Sequence, residues 1–96
     1  MLLKNLFVDF PYSCPVNIPE VDIAGIAIDS RAVKPGYLFV AMKGGNVDGH
    51  DFIQKAIENG AAAIIGDKDP GGLSIPYIRL ANPRQALTWL AAAFYN

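Results

Sequence analysis

This sequence is nearly without cysteine and histidine. Cys14 is the only thiol and His50 the only imidazole in 96 residues, so no intrachain disulfide can form, and the cysteine usage suits a reducing compartment. With one residue of each kind, a conventional Ser-His-Asp or Cys-His arrangement is not readily assembled. Also missing are the G-x-x-x-x-G-K-[ST] phosphate loop, the G-x-G-x-x-G fingerprint, paired metal-ligand spacings and the G-x-S-x-G elbow. No complete active site and no metal site are therefore expected. Long apolar runs are absent too, none approaching the roughly 20 residues of a membrane helix. The stretch Met1-Leu2-Leu3-Lys4-Asn5-Leu6 carries a charge and an amide and lacks a small-residue cleavage site, so it does not read as a signal peptide. Eight basic against nine acidic side chains leave a formal net charge of -1, and no block of like charge marks a nucleic-acid or anionic-membrane surface. The expectation is a soluble, cytoplasmic, monomeric protein.

What is present is the material of one small domain. At this length roughly 60 to 65% of the unfolded chain's surface can be buried, enough for a single modest core. The apolar fraction of 52% and charged fraction of 18% are those of an ordinary globular chain. Leu2, Leu3, Leu6 and Phe7 recur at helical spacing. Residues 9–25 contain Pro11, Pro15 and Pro19 among polar residues and read as a long irregular connection. Ile26-Ala27-Ile28 and Tyr37-Leu38-Phe39-Val40-Ala41 are strand candidates, the second introduced by the turn dipeptide Pro35-Gly36. Asp48 is placed to cap a helix starting near His50, in which Phe52, Ile53, Ala56 and Ile57 form the apolar stripe and Asp51 and Lys55 an i,i+4 pair. Gly60 is the expected left-handed stop. Ala62 to Ile65 and Ile75 to Leu80 are further strands. Asn82-Pro83-Arg84-Gln85 opens a last helix with an N-cap, a proline at its first position and a glutamine at its third. The order implies an α/β fold, a single small domain over residues 1–96 with a short mixed sheet and packed helices.

Two loops at strand ends make the only ligand-shaped constellation: Ile28-Asp29-Ser30-Arg31 and Gly44-Gly45-Asn46-Val47. A planar ring such as uracil needs a donor for its carbonyl oxygens and an acceptor for its ring N–H, and peptide groups or an asparagine amide supply both. Adjacent glycines let the backbone come close to a ligand. The same glycine pair also suits a plain turn.

The D-S-R of Asp29-Ser30-Arg31, the P-G-x-L-F-V-A from Pro35 to Ala41, the D-G-H-x-F-I from Asp48 to Ile53 and the G-A-x-A from Gly60 occur in order, and together they resemble the amino-terminal domain of the Mur ligase family. The ending from Ile78 to Tyr95, with Asn82-Pro83-Arg84 leading into Ala86-Leu87 and Leu90 to Tyr95, is more similar to the tripeptide-synthetase branch than to the tripeptide-to-pentapeptide branch. The resemblance implies part of an ATP-dependent ligase of peptidoglycan synthesis, with ATP and Mg2+ used by the full-length enzyme and no cofactor held by this fragment. It implies that Ile28, Ser30, Gly45, Asn46 and Val47 contact the uridine-diphosphate part of a UDP-N-acetylmuramoyl-peptide. The central ATP-binding and carboxy-terminal domains are expected to lie outside the chain, with the central domain as an intramolecular partner, so the fragment alone should be inactive. The Gly45-Asn46-Val47 loop stands where family members vary, which favours backbone contacts there, and Tyr37 stands where the family usually has an acidic residue. The other branch and a non-enzymatic interaction module are the alternative readings.

Several residues near this pattern have structural explanations. Asp29 and Arg31 are expected to tie down a turn and pair with each other, Asp48 to serve as a cap, and His50 to be a surface or capping residue. Trp89, Phe94 and Tyr95 fit core or interdomain packing.

Overall fold

The computed structural model describes residues 1–95. Helix α1 (Leu3–Leu6) is a single turn that buries Leu3 and Leu6. An irregular connection then runs to strand β1 (Gly25–Ala27), tied to the first residues by Leu3 N–H to Val21 O at 2.7 Å and Ile23 N–H to Met1 O at 2.7 Å. Strand β2 (Tyr37–Val40) follows the Pro35-Gly36 turn, which is closed by Tyr37 N–H to Lys34 O at 3.1 Å. The short strands β3 (Lys43–Gly44) and β4 (Val47–Asp48) form an antiparallel hairpin. Helix α2 (Ile53–Glu58), strands β5 (Ala63–Gly66) and β6 (Tyr77–Arg79), and helix α3 (Pro83–Tyr95) complete the chain.

The main sheet has the order β1-β2-β5-β6, and every neighbouring pair is parallel. The antiparallel component of the expected mixed sheet is confined to the separate hairpin. Parallel pairing forces each connection to cross back over the sheet, so both faces are covered and the strands read as apolar runs. Side-chain alternation divides the core in two. Leu38, Val40, Ala63, Ile65, Ile78 and Leu80 face Leu3, Leu6, Ala86 and Leu90 of α1 and α3. Phe39 and Ile64 face Ile53 and Ala56 of α2, with Val33 and Ala61 beside them. The result is a three-layer α/β/α sandwich, as the α/β expectation requires.

The helix signals act as their chemistry predicts. Asn82 Oδ1 accepts Gln85 N–H at 3.0 Å and caps α3. Gly60, at φ 104°, ends α2 with Gly60 N–H to Ile57 O and Ala61 N–H to Ala56 O, both at 3.0 Å, which is the Schellman pattern. One expectation fails. Residues Gly49–Phe52 wind as a 3₁₀ turn before α2 begins, and the tighter turn rotates Asp51 off the face of Lys55. The two therefore line different depressions, and no ion pair joins them.

Candidate functional site

Ligands of open parallel sheets bind beyond the carboxyl ends of the strands, where connections diverge and leave room. A cleft of about 720 Å³ lies there in this protein, lined by residues that follow β1 and β2 and by the hairpin. Ile28 leaves the end of β1 and is 53% exposed, an isoleucine presented to the cleft rather than to the core. Ser30 is 6% exposed, the only polar residue among the buried side chains of the described residues. It lines the cleft, its carbonyl is held by Asn59 Nδ2 at 2.8 Å, and no described protein group pairs with its hydroxyl. That hydroxyl is free to donate to or accept from a ligand.

A short 3₁₀ turn (Ser30–Ala32) places Ser30. Asp29 starts the turn by accepting Arg31 N–H at 2.9 Å, and the same carboxylate takes Arg31 Nη2 at 2.8 Å and Nε at 3.1 Å. These charge-assisted bonds from Arg31 hold the Asp29 carboxyl well below its usual value, at about 2. The expected pairing of Asp29 with Arg31 is therefore present, and both residues also line the cleft.

The opposite wall is the hairpin. Its two-residue turn is Gly45-Asn46, with Gly45 at φ 57° and no positive φ at Asn46, the pattern of a II′ turn. Gly44 and Val47, the flanking pair, line the cleft, and Val47 is 57% exposed there. Of the five residues expected at a ligand, the structure brings Ile28, Ser30 and Val47 to one cavity, while Gly45 and Asn46 form the turn outside the lining.

The hairpin is seated by Asp48, Gly49 and His50. Asp48 accepts His50 N–H at 3.0 Å and His50 Nδ1 at 2.6 Å, and Lys68 binds its other oxygen. Lys68 first, then the backbone and side chain of His50, push the Asp48 carboxyl far below the carboxylate range. His50 Nε2 lies 3.2 Å from Asp67 N–H and accepts it in the Nδ1–H tautomer. The imidazole is 9% exposed, so His50 is not a surface residue: its ring bridges the hairpin to the connection after β5. Gly66 leaves the room for it, because a Cβ there would lie 2.7 Å from His50 Nε2. Gly49 is equally constrained, since its Cβ would lie 2.7 Å from Met42 N and 2.9 Å from Met42 O, where Gly49 N–H itself bonds Met42 O at 2.7 Å.

Sequence reasoning missed the rest of the lining. Phe39, Met42 and Phe52 supply an apolar part, and Lys55 and Arg84 bring two cations. No carboxylate pairs with either cation among the described residues. With Asp29 neutralised by Arg31, the cleft is electropositive and suited to an anion beside a flat or apolar group. Arg84 had a signal in the sequence: it follows the Asn82-Pro83 helix start, which lies just past the end of β6. Lys55 had none, because the sequence offered Asp51 as its partner and the fold turns Asp51 to a different depression.

Comparison with known proteins identifies the family and the fold. The family described as Mur ligase family, catalytic domain, matches residues 22–95. The UDP-N-acetylmuramoyl-L-alanyl-D-glutamate--2,6-diaminopimelate ligase of Bradyrhizobium diazoefficiens is 46% identical over 78 residues, covering 81% of this chain and 16% of the relative. The UDP-N-acetylmuramyl-tripeptide synthetase of a Roseiflexus species is 50% identical over 87 residues, covering 85% and 17%. A crystal structure of MurF from Acinetobacter baumannii superimposes with a TM-score of 0.77 at 28% identity, over 96% of this chain and 20% of that one. MurF of Thermotoga maritima, solved with ADP, gives a TM-score of 0.62 at 37% identity, over 68% and 15%. The chain spans about a sixth of the length of the curated relatives it matches. With the match covering β1 through α3 and most of the chain, this protein belongs to the Mur ligase family.

Proposed function

We propose that this chain is the nucleotide-anchoring, amino-terminal domain of a tripeptide-synthetase-type Mur ligase, and that the cleft holds the uridine-diphosphate end of a UDP-N-acetylmuramoyl-dipeptide. The observation that carries the reading is the convergence of Ile28, the unpartnered Ser30 hydroxyl and Val47 on one electropositive cleft at the carboxyl edge of a parallel sheet. Ile28 and Val47 offer apolar contact to a pyrimidine, Ser30 a polar one, and Gly45-Asn46 the exposed peptide groups of a turn next to the wall. The Bradyrhizobium and Roseiflexus relatives, at 46% and 50% identity, favour the branch that adds the third amino acid. The MurF structures share the fold and keep the tripeptide-to-pentapeptide ligase as the second reading.

In this role the domain does not touch the reacting atoms. It holds one end of a long substrate, so that binding energy spent there positions the distant carboxylate for chemistry performed elsewhere. ATP and Mg2+ then belong to the rest of the enzyme, which also acts as the intramolecular partner of this domain, and the domain itself works as a monomer in the cytoplasm. Backbone amide shifts followed during a UDP titration test the reading. Saturable shifts at Ile28, Ser30 and Gly45 to Val47 with UDP, and none with ADP, are the expected result. Equal response to ADP, or shifts confined to another surface, would refute it.

A further inference from the structure

We propose that Lys55 and Arg84 form a two-point clamp for a diphosphate, one cation to each phosphoryl group, and thereby make the cleft prefer a nucleoside diphosphate to the monophosphate. The proposal rests on the reading that a nucleotide enters this cleft. Three cations and one carboxylate line it, and the carboxylate of Asp29 is already engaged by Arg31 through three side-chain bonds at 2.8, 3.1 and 3.3 Å. The two cations left over come from opposite layers of the sandwich, Lys55 from α2 and Arg84 from α3. They reach one cavity from different sides, an arrangement suited to bracketing an elongated anion rather than to contacting a single point.

The Arg84 guanidinium lies against the hairpin. A Cβ at position 44 would stand 3.7 Å from Arg84 Nη2, so the guanidinium lies over β3 where that strand carries no side chain. Arginine offers a planar fork that binds two oxygens of one phosphoryl group, while lysine acts as a compact point charge on the other. The apolar neighbours Phe39, Met42 and Phe52 lower the local dielectric and strengthen both attractions relative to open water. A monophosphate can satisfy only one of the two cations.

Calorimetric titration of the wild-type chain, Arg84→Gln and Lys55→Gln with UDP, UMP and inorganic pyrophosphate tests the clamp. Both side chains are exposed, so circular dichroism and melting curves should match the wild type and confirm that the variants fold. Each variant should bind UDP and pyrophosphate about tenfold more weakly, the loss of one partly solvated charge-assisted contact. UMP binding should weaken in one variant at most. If the wild type binds UDP and both variants bind it equally well, the clamp is wrong while the nucleotide reading stands. Should the wild type bind pyrophosphate through these residues and not UDP, the clamp stands and the nucleotide reading falls. Binding of neither overturns both.

Discussion

Asp29 and Asp48 solve the same local problem in two ways. Their backbones are nearly superimposable in angle, with φ −113° and ψ 122° at Asp29 and φ −110° and ψ 117° at Asp48. Each carboxylate accepts the N–H two residues on, at 2.9 and 3.0 Å, and opens a 3₁₀ turn. Each turn contributes the next residue, Ser30 or Gly49, to the cleft lining. The second partners differ. Asp29 is held by Arg31 of its own turn, which is 85% exposed, whereas Asp48 is held by a nearly buried His50 and by Lys68 from the connection after β5. The Asp29 carboxylate finds all its partners within three residues, and the turn's one distant hydrogen bond among the described residues is Asn59 Nδ2 to the Ser30 carbonyl at 2.8 Å. The Asp48 turn is a joint between the hairpin and the sheet, so the position of one cleft wall depends on distant parts of the chain.

The largest difference between the two turns is expected at the residue after each aspartate. Gly49→Ala forces a Cβ against the Met42 backbone, and overpacking of this kind should cost about 1–3 kcal/mol in chemical denaturation. Ser30→Gly, at the equivalent place, should cost less in stability and more in nucleotide binding. If Gly49→Ala is neutral, the hairpin is not seated as tightly as the geometry demands. Next in size, Asp48→Ala should lower the melting temperature more than Asp29→Ala, because it releases Lys68 and His50 as well as the cap. Equal losses would erase the distinction between a joint and a turn whose carboxylate is held locally.

A smaller and more local effect sharpens the same contrast. His50→Ala removes the acceptor of Asp67 N–H, so hydrogen exchange at Asp67 should speed up while the amide of Arg31 keeps its wild-type rate. The smallest effect concerns acid. Both carboxyls are depressed in the folded chain, so their contribution is complete above the ordinary value of 3.8 and is lost as pH falls through the folded value. For Asp29 that window runs from 3.8 down to about 2. For Asp48, held lower still, it extends to more acid conditions. Stability measured against pH should therefore fall less steeply below this point in Asp29→Asn and in Asp48→Asn than in the wild type, with the Asp48 variant flatter at the acid end.

The same contrast explains what was legible in the sequence. Features closed within a few residues could be read directly: the Pro35-Gly36 turn, the Asn82 cap, the Gly60 stop and the Asp29–Arg31 pair all depend on near neighbours. The strand-end segments that hold Ile28, Ser30 and Val47 were likewise marked by local pattern. What could not be read depends on residues that only folding brings together. The His50 ring is nearly buried because Gly66 makes room and Asp67 offers an N–H, both in a different strand and its exit. Lys55 reaches the cleft because α2 packs Ile53 and Ala56 against the sheet, which leaves Lys55 on its cleft side. Arg84 joins the site only because β6 ends at the same edge as β1 and β2.

A uridine nucleotide in the cleft between the two aspartate-capped turns is what the proposed function requires. Intermolecular nuclear Overhauser effects between UDP and the methyl-labelled chain test it most directly. Contacts from the uracil ring protons to the Ile28 and Val47 methyl groups are the predicted result. Contacts instead to Leu73 and Ile53, which border the smaller recess beside His50, would contradict it.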